Sequence, residues 1–267
     1  MKAIYNWDAK EYHKSSSEQQ KWAKELIGKL NLRGDERVLD IGCGDGKVSV
    51  EIAKCLPKGF VLGIDNSQEM IRFALKNFPP EKFSNLVFEK IDAIDLPFDN
   101  EFDIVFSNAC LHWVIDHLSV LKRIKKSLKQ GGGKVLIQMG GKGNAAKILE
   151  VLEEMLKENR WSKFYNGFAF PYGFYEAEEY KRWLNEAGLK PTRIELIPKD
   201  MAHKGKEGLL GWIRTTWLPY IQRLPEELWE EFINELADRY IEKHPLDKDG
   251  FVHIAMIRLE VEAENID

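Results

Sequence analysis

The sequence predicts an α/β fold in which helices wrap a parallel sheet. Short runs rich in apolar and β-branched residues alternate with helical patterns, which is typical of consecutive strand–helix–strand units. The runs are RVLDI (37–41), FVLGI (60–64), LVFEK (86–90), FDIVFS (102–107) and KVLIQM (134–139). The helical patterns between them cover 47–55, 67–77 and 117–129. NSQEM at the start of the second pattern is a candidate helix N-terminus.

The second half of the chain interrupts this alternation with helices and adds two further β runs. TRIELI (192–197) predicts a sixth strand, and FVHIAMIRLEVE (251–262) predicts a long last strand. Helical patterns at about 143–175 and about 199–249 predict two cap insertions around one continuous sheet. We therefore expect a single domain over 1–267 with these insertions.

Composition and charge exclude several classes of protein. The chain has 267 residues, of which 44% are hydrophobic, and its formal net charge is −4. The balance predicts a sizeable core and argues against nucleic-acid or anionic membrane partners. No apolar run is long enough to span a bilayer, and the first residues lack an apolar signal core. Cys43, Cys55 and Cys110 have no C-x-x-C pairing, which favours reduced thiols in a cytoplasmic protein without bound metal.

The stretch RVLDIGCGDGK (37–47) ends a strand in Asp40 and then turns on Gly42, Gly44 and Gly46. A turn of this kind between strand and helix can hold a dinucleotide, a nucleotide phosphate or a nucleoside without phosphate. Its G-x-G-x-G spacing differs from the dinucleotide pattern G-x-G-x-x-G. The phosphate loop G-x-x-x-x-G-K-[ST] is absent. An ordinary tight turn would also favour glycines here.

Three acidic residues near strand ends narrow the choice of ligand. Asp65 ends the second strand, where it can accept both ribose hydroxyls, although dinucleotide enzymes use the same device. Asp92 follows the third strand and can accept a hydrogen bond from the adenine amine. Asp40 precedes the glycine turn, where a carboxylate repels a pyrophosphate but attracts an ammonium and a sulfonium. Together these acids predict S-adenosylmethionine as the cofactor.

The segments VLDIGCGDG, VLGIDNS, IDAIDLPF and FDIVFSNACLHWV resemble the successive motifs of class I S-adenosylmethionine-dependent methyltransferases. Within that superfamily, NACLHWVIDH, GWIRTTWLPYIQRLP and HPLDKDG are similar to segments of the trans-aconitate and juvenile hormone acid methyltransferases. The resemblance implies a Rossmann-like, seven-stranded, mostly parallel sheet with an antiparallel last strand. It also implies helices on both faces of the sheet and helical cap insertions.

Carried over position by position, the resemblance implies three groups of cofactor-binding residues and a lid. The groups are Asp40, Gly42 and Gly44 around the methionine tail; Asp65, Asn66, Met70, Asp92 and Ala93 around the ribose and adenine; and Asn108, Ala109 and Trp113 near the sulfonium and its methyl group. Gln19 would close over the cofactor from an N-terminal lid at about 1–30.

Methyl transfer to an ionised carboxylate requires alignment and exclusion of water but no general base. His112 and Trp113 are the predicted catalytic residues, since they follow the fourth strand where ligands of open α/β sheets collect. A structural histidine in a loop is the alternative for His112. Arg214, Trp212 and Tyr220 are the predicted substrate-binding residues, and the alternative for these aromatic side chains is the core of the cap.

We therefore expect a methyltransferase acting on a small-molecule acceptor, an organic acid methylated at a carboxylate oxygen, in a monomer or weak dimer. The alternatives are an amine or phenol acceptor and a non-catalytic regulator that binds S-adenosylmethionine. A NAD-dependent oxidoreductase fits the motifs less well. A DNA amino-methyltransferase also fits less well, because SNACLHW lacks the N-P-P-[YFW] stretch of those enzymes.

Overall fold

The computed structural model describes residues 5–15 and 17–266, without the side chains of residues 14–19. One seven-stranded sheet runs through this part of the chain. Its strands are β1 (Arg37–Ile41), β2 (Phe60–Asp65), β3 (Leu86–Lys90), β4 (Ile104–Asn108), β5 (Gly133–Gly140), β6 (Lys190–Lys204) and β7 (Phe251–Asn265).

The strands are ordered β3-β2-β1-β4-β5-β7-β6 across the sheet. The pairs from β3 through β5 are parallel, and β7 is antiparallel to β5. The predicted seven-stranded, mostly parallel sheet with an antiparallel last strand is confirmed. The strand order reverses between β1 and β4, and open α/β sheets bind their ligands in the crevice outside such a reversal.

The described helices connect and follow these strands. They are α1 (Ala9–Ser15), α2 (Ser17–Lys29), α3 (Lys47–Lys54), α4 (Gln68–Asn77), α5 (His117–Ser127), α6 (Ala146–Leu156), α7 (Asn159–Ser162), α8 (Ala177–Glu186), α9 (Gly205–Thr216), α10 (Leu218–Ile221) and α11 (Trp229–Lys243). None of the helices in the described residues is long and apolar enough to cross a membrane.

The central strands are apolar on both faces because both faces of the sheet are covered. Successive residues of β1 alternate between two core clusters: Val38 belongs to one, and Leu39 and Ile41 belong to the other. A strand buried on both sides has no wet face, so its sequence is a continuous apolar run rather than an alternation. The run RVLDI therefore places its one charged interior residue, Asp40, inside the protein.

Strand β6 is longer than the sequence pattern predicts. The expected strand covered 192–197, and the second insertion was expected to start at about 199, whereas β6 extends from Lys190 to Lys204 through Pro198. Proline normally ends a strand because it lacks an N–H group, but an edge strand tolerates it. Strand β6 lies at the edge of the sheet, which explains the difference.

The chain divides into two compact units. The sheet unit consists of 19–142, 172–197 and the described part of 258–267. The helical unit consists of the described residues of 1–18 together with 143–171 and 198–257.

Three tryptophans are fully buried in the helical unit: Trp161, Trp212 and Trp217. The N-terminal segment is tied to the same unit by a reciprocal pair of hydrogen bonds. The Asn6 N–H donates to Gln222 Oε1 at 3.1 Å, and Gln222 Nε2 donates to the Asn6 carbonyl at 2.8 Å. The segment before α1 is therefore anchored to the residue that follows α10.

Candidate cofactor and acceptor site

The glycine turn after β1 has a backbone that side chains would disturb. Gly42, Gly44 and Gly46 have φ angles of 76°, 52° and 84°. The N–H groups of Gly42 and Cys43 both donate to the Ile64 carbonyl at the end of β2, at 2.8 and 2.9 Å. A Cβ atom at Gly42 would lie 2.1 Å from Cys110 Sγ, so position 42 has no room for any side chain. The turn is thereby held against the ends of β2 and β4.

Asp40 is a buried carboxyl group just before this turn. It is 1% exposed, and its Oδ2 accepts a hydrogen bond of 2.5 Å from the Ser49 hydroxyl. The pKa of Asp40 is raised to about 7, chiefly by burial; the Ser49 hydrogen bond opposes this rise and the Asp65 charge adds to it. A carboxylate in this position is stabilised by a cation.

Asp65 holds the glycine turn from the end of β2. Its Oδ2 accepts from the Gly44 N–H at 3.1 Å, and its Oδ1 accepts from the Ser67 N–H at 2.8 Å. The pKa of Asp65 is raised to about 6, chiefly by burial; these two hydrogen bonds oppose the rise and the Asp92 charge adds to it. Each carboxylate oxygen retains a second lone pair for a ligand hydroxyl.

Neighbouring carboxylates that repel one another favour a cationic ligand and disfavour a phosphate. Asp40, Asp65 and Asp92 influence one another electrostatically, because the pKa of Asp40 is raised by Asp65 and that of Asp65 by Asp92. These acceptor groups therefore fit S-adenosylmethionine. Asp40 would hold the ammonium and sulfonium, and Asp65 would accept from the ribose hydroxyls.

The predicted adenine-binding residues follow β2 and β3 in short turns. Asp92 caps a single 3₁₀ turn, in which Ala93 is buried. The Asp92 Oδ1 atom accepts a hydrogen bond from the Ile94 N–H at 3.1 Å. Asn66 is exposed directly after β2. Met70 is buried in the first turn of α4, and its N–H donates to the Ser67 hydroxyl at 3.3 Å. Two neighbouring parallel strands thus end beside these residues.

The end of β4 carries the residues predicted to lie near the methyl group. Asn108 is the last residue of the strand, and Ala109 has a left-handed φ of 56°, which costs a non-glycine residue energy. The Ala109 N–H donates to the Gln138 carbonyl of β5 at 2.8 Å, which fixes this turn. Gln19, predicted to cover the cofactor, has its side chain outside the described part of the structure.

His112 is buried, neutral and oriented by the backbone. It is 7% exposed, and its Nδ1 accepts from the Gly140 N–H at 3.5 Å, which leaves the ring proton on Nε2. Burial lowers the pKa of His112 well below its usual value, and the charges of Arg258 and His117 lower it further. The ring is therefore an N–H donor at neutral pH and is unsuited to act as a general base.

Aromatic side chains lie next to this histidine within the sheet unit. They are Trp113, Tyr172 and Phe174, and together they are called the aromatic wall. The centroid of the His112 ring lies 5.7 Å from that of Trp113, 6.3 Å from that of Tyr172 and 5.9 Å from that of Phe174. Tyr172 and Phe174 stack at 5.3 Å with an interplanar angle of 8°. The sequence shows the aromatic stretch 164–175, but it does not indicate which members join His112.

The predicted substrate-binding residues belong to the helical unit. Trp212 and Tyr220 are buried, and Trp212 packs edge-on against Trp217 with ring centroids 5.6 Å apart. The Arg214 guanidinium pairs with Glu230 through two hydrogen bonds, from Nε at 3.0 Å and from Nη2 at 2.6 Å. Arg214 would have to exchange this partner in order to bind an acceptor anion.

Sequence reasoning missed Arg258 in the middle of β7. Its side chain is 3% exposed, and its backbone pairs with Gly140 at the carboxyl end of β5. The signal in the sequence is a single arginine inside the apolar run IAMIRL. A buried cation beside His112 is a functional candidate, since buried charges are costly and rarely incidental.

This combination of a doubly covered parallel sheet, a glycine turn and a carboxylate cluster defines a protein that binds S-adenosylmethionine. Residues 32–188 match the model of a family described as a methyltransferase domain, and the chain belongs to that family.

Named relatives and a solved structure agree with this assignment. The chain is 28% identical to trans-aconitate 2-methyltransferase of Methylobacterium nodulans over 95% of this chain and 96% of the relative. It is 28% identical to juvenile hormone acid O-methyltransferase of Drosophila melanogaster over 77% of this chain and 71% of the relative. A structure of Haemonchus contortus phosphoethanolamine N-methyltransferase 2 with S-adenosyl-L-methionine shares the fold, with a TM-score of 0.61 and 21% identity, covering 97% of this chain and 57% of that one. The protein is an S-adenosylmethionine-dependent methyltransferase.

Acidification is expected to weaken cofactor binding, because a cation must displace the proton that Asp40 holds below its pKa of about 7. Between about pH 7.5 and about pH 6 the affinity for S-adenosylmethionine should fall about tenfold. Calorimetry in buffers of different ionisation enthalpy measures both the affinity and the protons released. Asp40→Asn should bind more weakly but lose most of this pH dependence, leaving the smaller contribution of Asp65. Equal wild-type affinity at both pH values would show that Asp40 does not face the cation.

Proposed function

We propose that this methyltransferase transfers the methyl group to a carboxylate oxygen of a small organic acid. The observation that carries the proposal is the state of His112, which is a neutral N–H donor and not a base. Amine and phenol acceptors must lose a proton to react, whereas a carboxylate is already ionised at neutral pH. When bound, S-adenosylmethionine supplies a methyl group on positively charged sulfur, and transfer to a carboxylate leaves a neutral thioether and a methyl ester without moving a proton.

The residues of the chain would then bind, orient and exclude water. His112 Nε2–H would donate to one acceptor oxygen, since Nδ1 already accepts from Gly140. The aromatic wall would keep water from the reacting atoms and strengthen the attraction between an anionic acceptor and a cationic cofactor. The names of the trans-aconitate and juvenile hormone acid relatives support a carboxylate acceptor, since both are acids.

The expected product is a methyl ester, and the expected rate is nearly independent of pH above the acceptor pKa. Labelled methyl from the cofactor should appear in esters when trans-aconitate and juvenile hormone acid are offered. With saturating S-adenosylmethionine, single-turnover rates should stay flat from about pH 6 to about pH 9, because a carboxylate with a pKa of about 4 remains ionised. A rate that falls steadily toward pH 6, or a label stable to mild base, would assign an amine or phenol instead. Cofactor binding without any methyl consumption would favour a regulator.

His112→Gln and His112→Phe separate the donor from the packing role in the same assay. Glutamine keeps an N–H donor, whereas phenylalanine keeps a planar ring without one. We expect the phenylalanine variant to lose more turnover than the glutamine variant, by about tenfold, as for loss of one hydrogen bond to a charged group. Equal losses would limit His112 to packing.

We infer that the enzyme acts in the cytoplasm as a monomer or weak dimer. Cys43, Cys55 and Cys110 are free thiols, which fits a reducing compartment. Burial raises the pKa of Cys43 well above its usual value, so this thiol is protonated and unreactive. Sedimentation velocity across a range of concentrations tests the oligomeric state, and a stable larger assembly would contradict it.

A further inference from the structure

The middle of β7 presents different chemistry on its two faces. Leu259, Val261 and Ala263 point into a hydrophobic core cluster. The alternate positions, Arg258 and Glu260, are also buried, and they form a charged row on the opposite face of the strand. Burying charges on a central strand costs several kcal/mol in general, so each member of this row requires an explanation.

The acidic end of the row is explained by partners within the sheet unit. Glu260 accepts hydrogen bonds from Lys29 Nζ at 2.5 Å, from Gln138 Nε2 at 2.8 Å and from the Arg193 guanidinium. Burial alone would raise the pKa of Glu260, but these donors outweigh it and lower the pKa. This end of the row is a structural ion-pair cluster that ties α2, β5 and β6 to β7.

The basic end of the row lies toward the site. Arg258 pairs in register with Gly140, so their Cα atoms are about 5 Å apart in an antiparallel ladder. Gly140 is the last residue of β5, and its N–H contacts His112 Nδ1. The Arg258 charge also contributes to the lowered pKa of His112. The guanidinium is therefore close to the predicted catalytic histidine at the carboxyl end of the sheet.

The guanidinium of Arg258 packs over the ring of Trp22 in α2. The Cζ atom of Arg258 lies 5.5 Å from the centroid of the Trp22 ring. A guanidinium is planar, so it can pack its face on an aromatic ring while the N–H groups at its edge form two parallel hydrogen bonds to a carboxylate. Packing of this kind reduces the entropy that such a side chain loses when it binds an anion.

We propose that Arg258 binds the carboxylate of the methyl acceptor and selects organic anions as substrates. The inference rests on the proposed function and adds the residue that recognises the acceptor. Arg258 would hold the acceptor carboxylate beside His112 Nε2–H, while the aromatic wall contacts the body of the acid. Arg214, the candidate from sequence, already directs its guanidinium at Glu230.

Steady-state kinetics of arginine variants test the proposal, with trans-aconitate and juvenile hormone acid as the acceptor probes. Arg258→Lys keeps the charge but loses the planar fork, and we expect the acceptor KM to rise about tenfold. Arg258→Gln removes the charge, and the KM should rise about a hundredfold. The affinity for S-adenosylhomocysteine should stay within about twofold of the wild type, which a general loss of structure would not allow.

Arg193→Lys is the matched control, because Arg193 pairs with Glu260 in the same charged row but contacts the other end of it. This variant should keep the wild-type acceptor KM. Arg214→Lys compares the two candidate arginines directly. If Arg258→Gln is too unstable to assay, Arg258→Lys alone still tests whether the two parallel hydrogen bonds of the guanidinium are required.

A second readout requires no acceptor. Loss of the Arg258 charge should raise the pKa of the His112 ring, as followed by NMR of the ring nitrogens.

Three results would overturn the inference, and the last of them would also overturn the proposed function. Methyl ester formation with an unchanged acceptor KM in both Arg258 variants would remove Arg258 from recognition and leave the proposed function intact. A raised acceptor KM in Arg214→Lys alone would identify Arg214, and not Arg258, as the arginine that binds the acceptor carboxylate. Transfer to an amine, or no ester from either acid with the wild-type enzyme, would overturn both proposals.

Discussion

Asp65→Ala should weaken S-adenosylmethionine binding about a hundredfold, a loss of about 2–3 kcal/mol. The Asp65 carboxylate already accepts backbone N–H groups from Gly44 and Ser67, one on each oxygen. We expect the remaining lone pairs to accept the two ribose hydroxyls. The variant would therefore lose both the ligand contacts and the fixed position of the glycine turn. Calorimetry with the folded variant measures the loss.

A thermodynamic cycle that combines Asp65→Ala with a modified ligand separates the loss of ligand contacts from the loss of the turn's position. S-adenosylhomocysteine that lacks the ribose 2′-hydroxyl should bind the wild type about tenfold more weakly than the complete ligand. In Asp65→Ala this difference should disappear, because the hydroxyl has lost its acceptor. Asp65→Asn keeps one oxygen and should have an intermediate affinity. If the ligand without the 2′-hydroxyl still binds Asp65→Ala about tenfold more weakly than the complete ligand, the role of Asp65 is limited to holding the turn.

The candidate cofactor residues have a local sequence signature because they stand at fixed positions relative to strand ends. A doubly buried strand has a recognisable apolar run, so the residue that follows it lies at the carboxyl edge of the sheet. Asp65 is the last residue of β2, Asp92 follows β3, and Asp40 interrupts the run of β1. The roles predicted for them rest on local spacing and charge, which a single sequence contains.

The acceptor residues depend on contacts between distant parts of the chain, which local patterns do not contain. Arg258 is a candidate because its register with Gly140 brings it near His112, and this pairing joins positions more than a hundred residues apart. Arg214 is a reasonable candidate by motif, but its partner Glu230 is visible only in the folded unit. The neutral state of His112 depends on burial and on the Gly140 N–H. None of these three features has a local sequence signature.

Gly42→Ala is expected to be the most damaging single substitution in the site. The new Cβ atom would lie 2.1 Å from Cys110 Sγ and 2.2 Å from Cys110 Cβ, in a residue whose φ is +76°. Left-handed strain and overpacking together should lower the free energy of unfolding by about 3 kcal/mol. The turn would also move away from Asp65, so S-adenosylmethionine affinity should fall at least about a hundredfold. Urea unfolding and calorimetry measure the two effects.

Gly131→Ala provides the matched control, since Gly131 has a φ of +69° and an added Cβ atom there would meet nothing within 4 Å. It should carry only the left-handed strain, about 1 kcal/mol, and leave cofactor affinity unchanged. In the double variant, Cys110→Gly removes both clashing atoms and should recover the overpacking part of the stability that Gly42→Ala loses. The crowding at Cys110 would be refuted if Gly42→Ala proved no more destabilising than Gly131→Ala. The crowding would also be refuted if Cys110→Gly restored none of the stability that Gly42→Ala loses. Removing the Cys110 side chain relieves the clash but leaves the left-handed strain at position 42 unchanged.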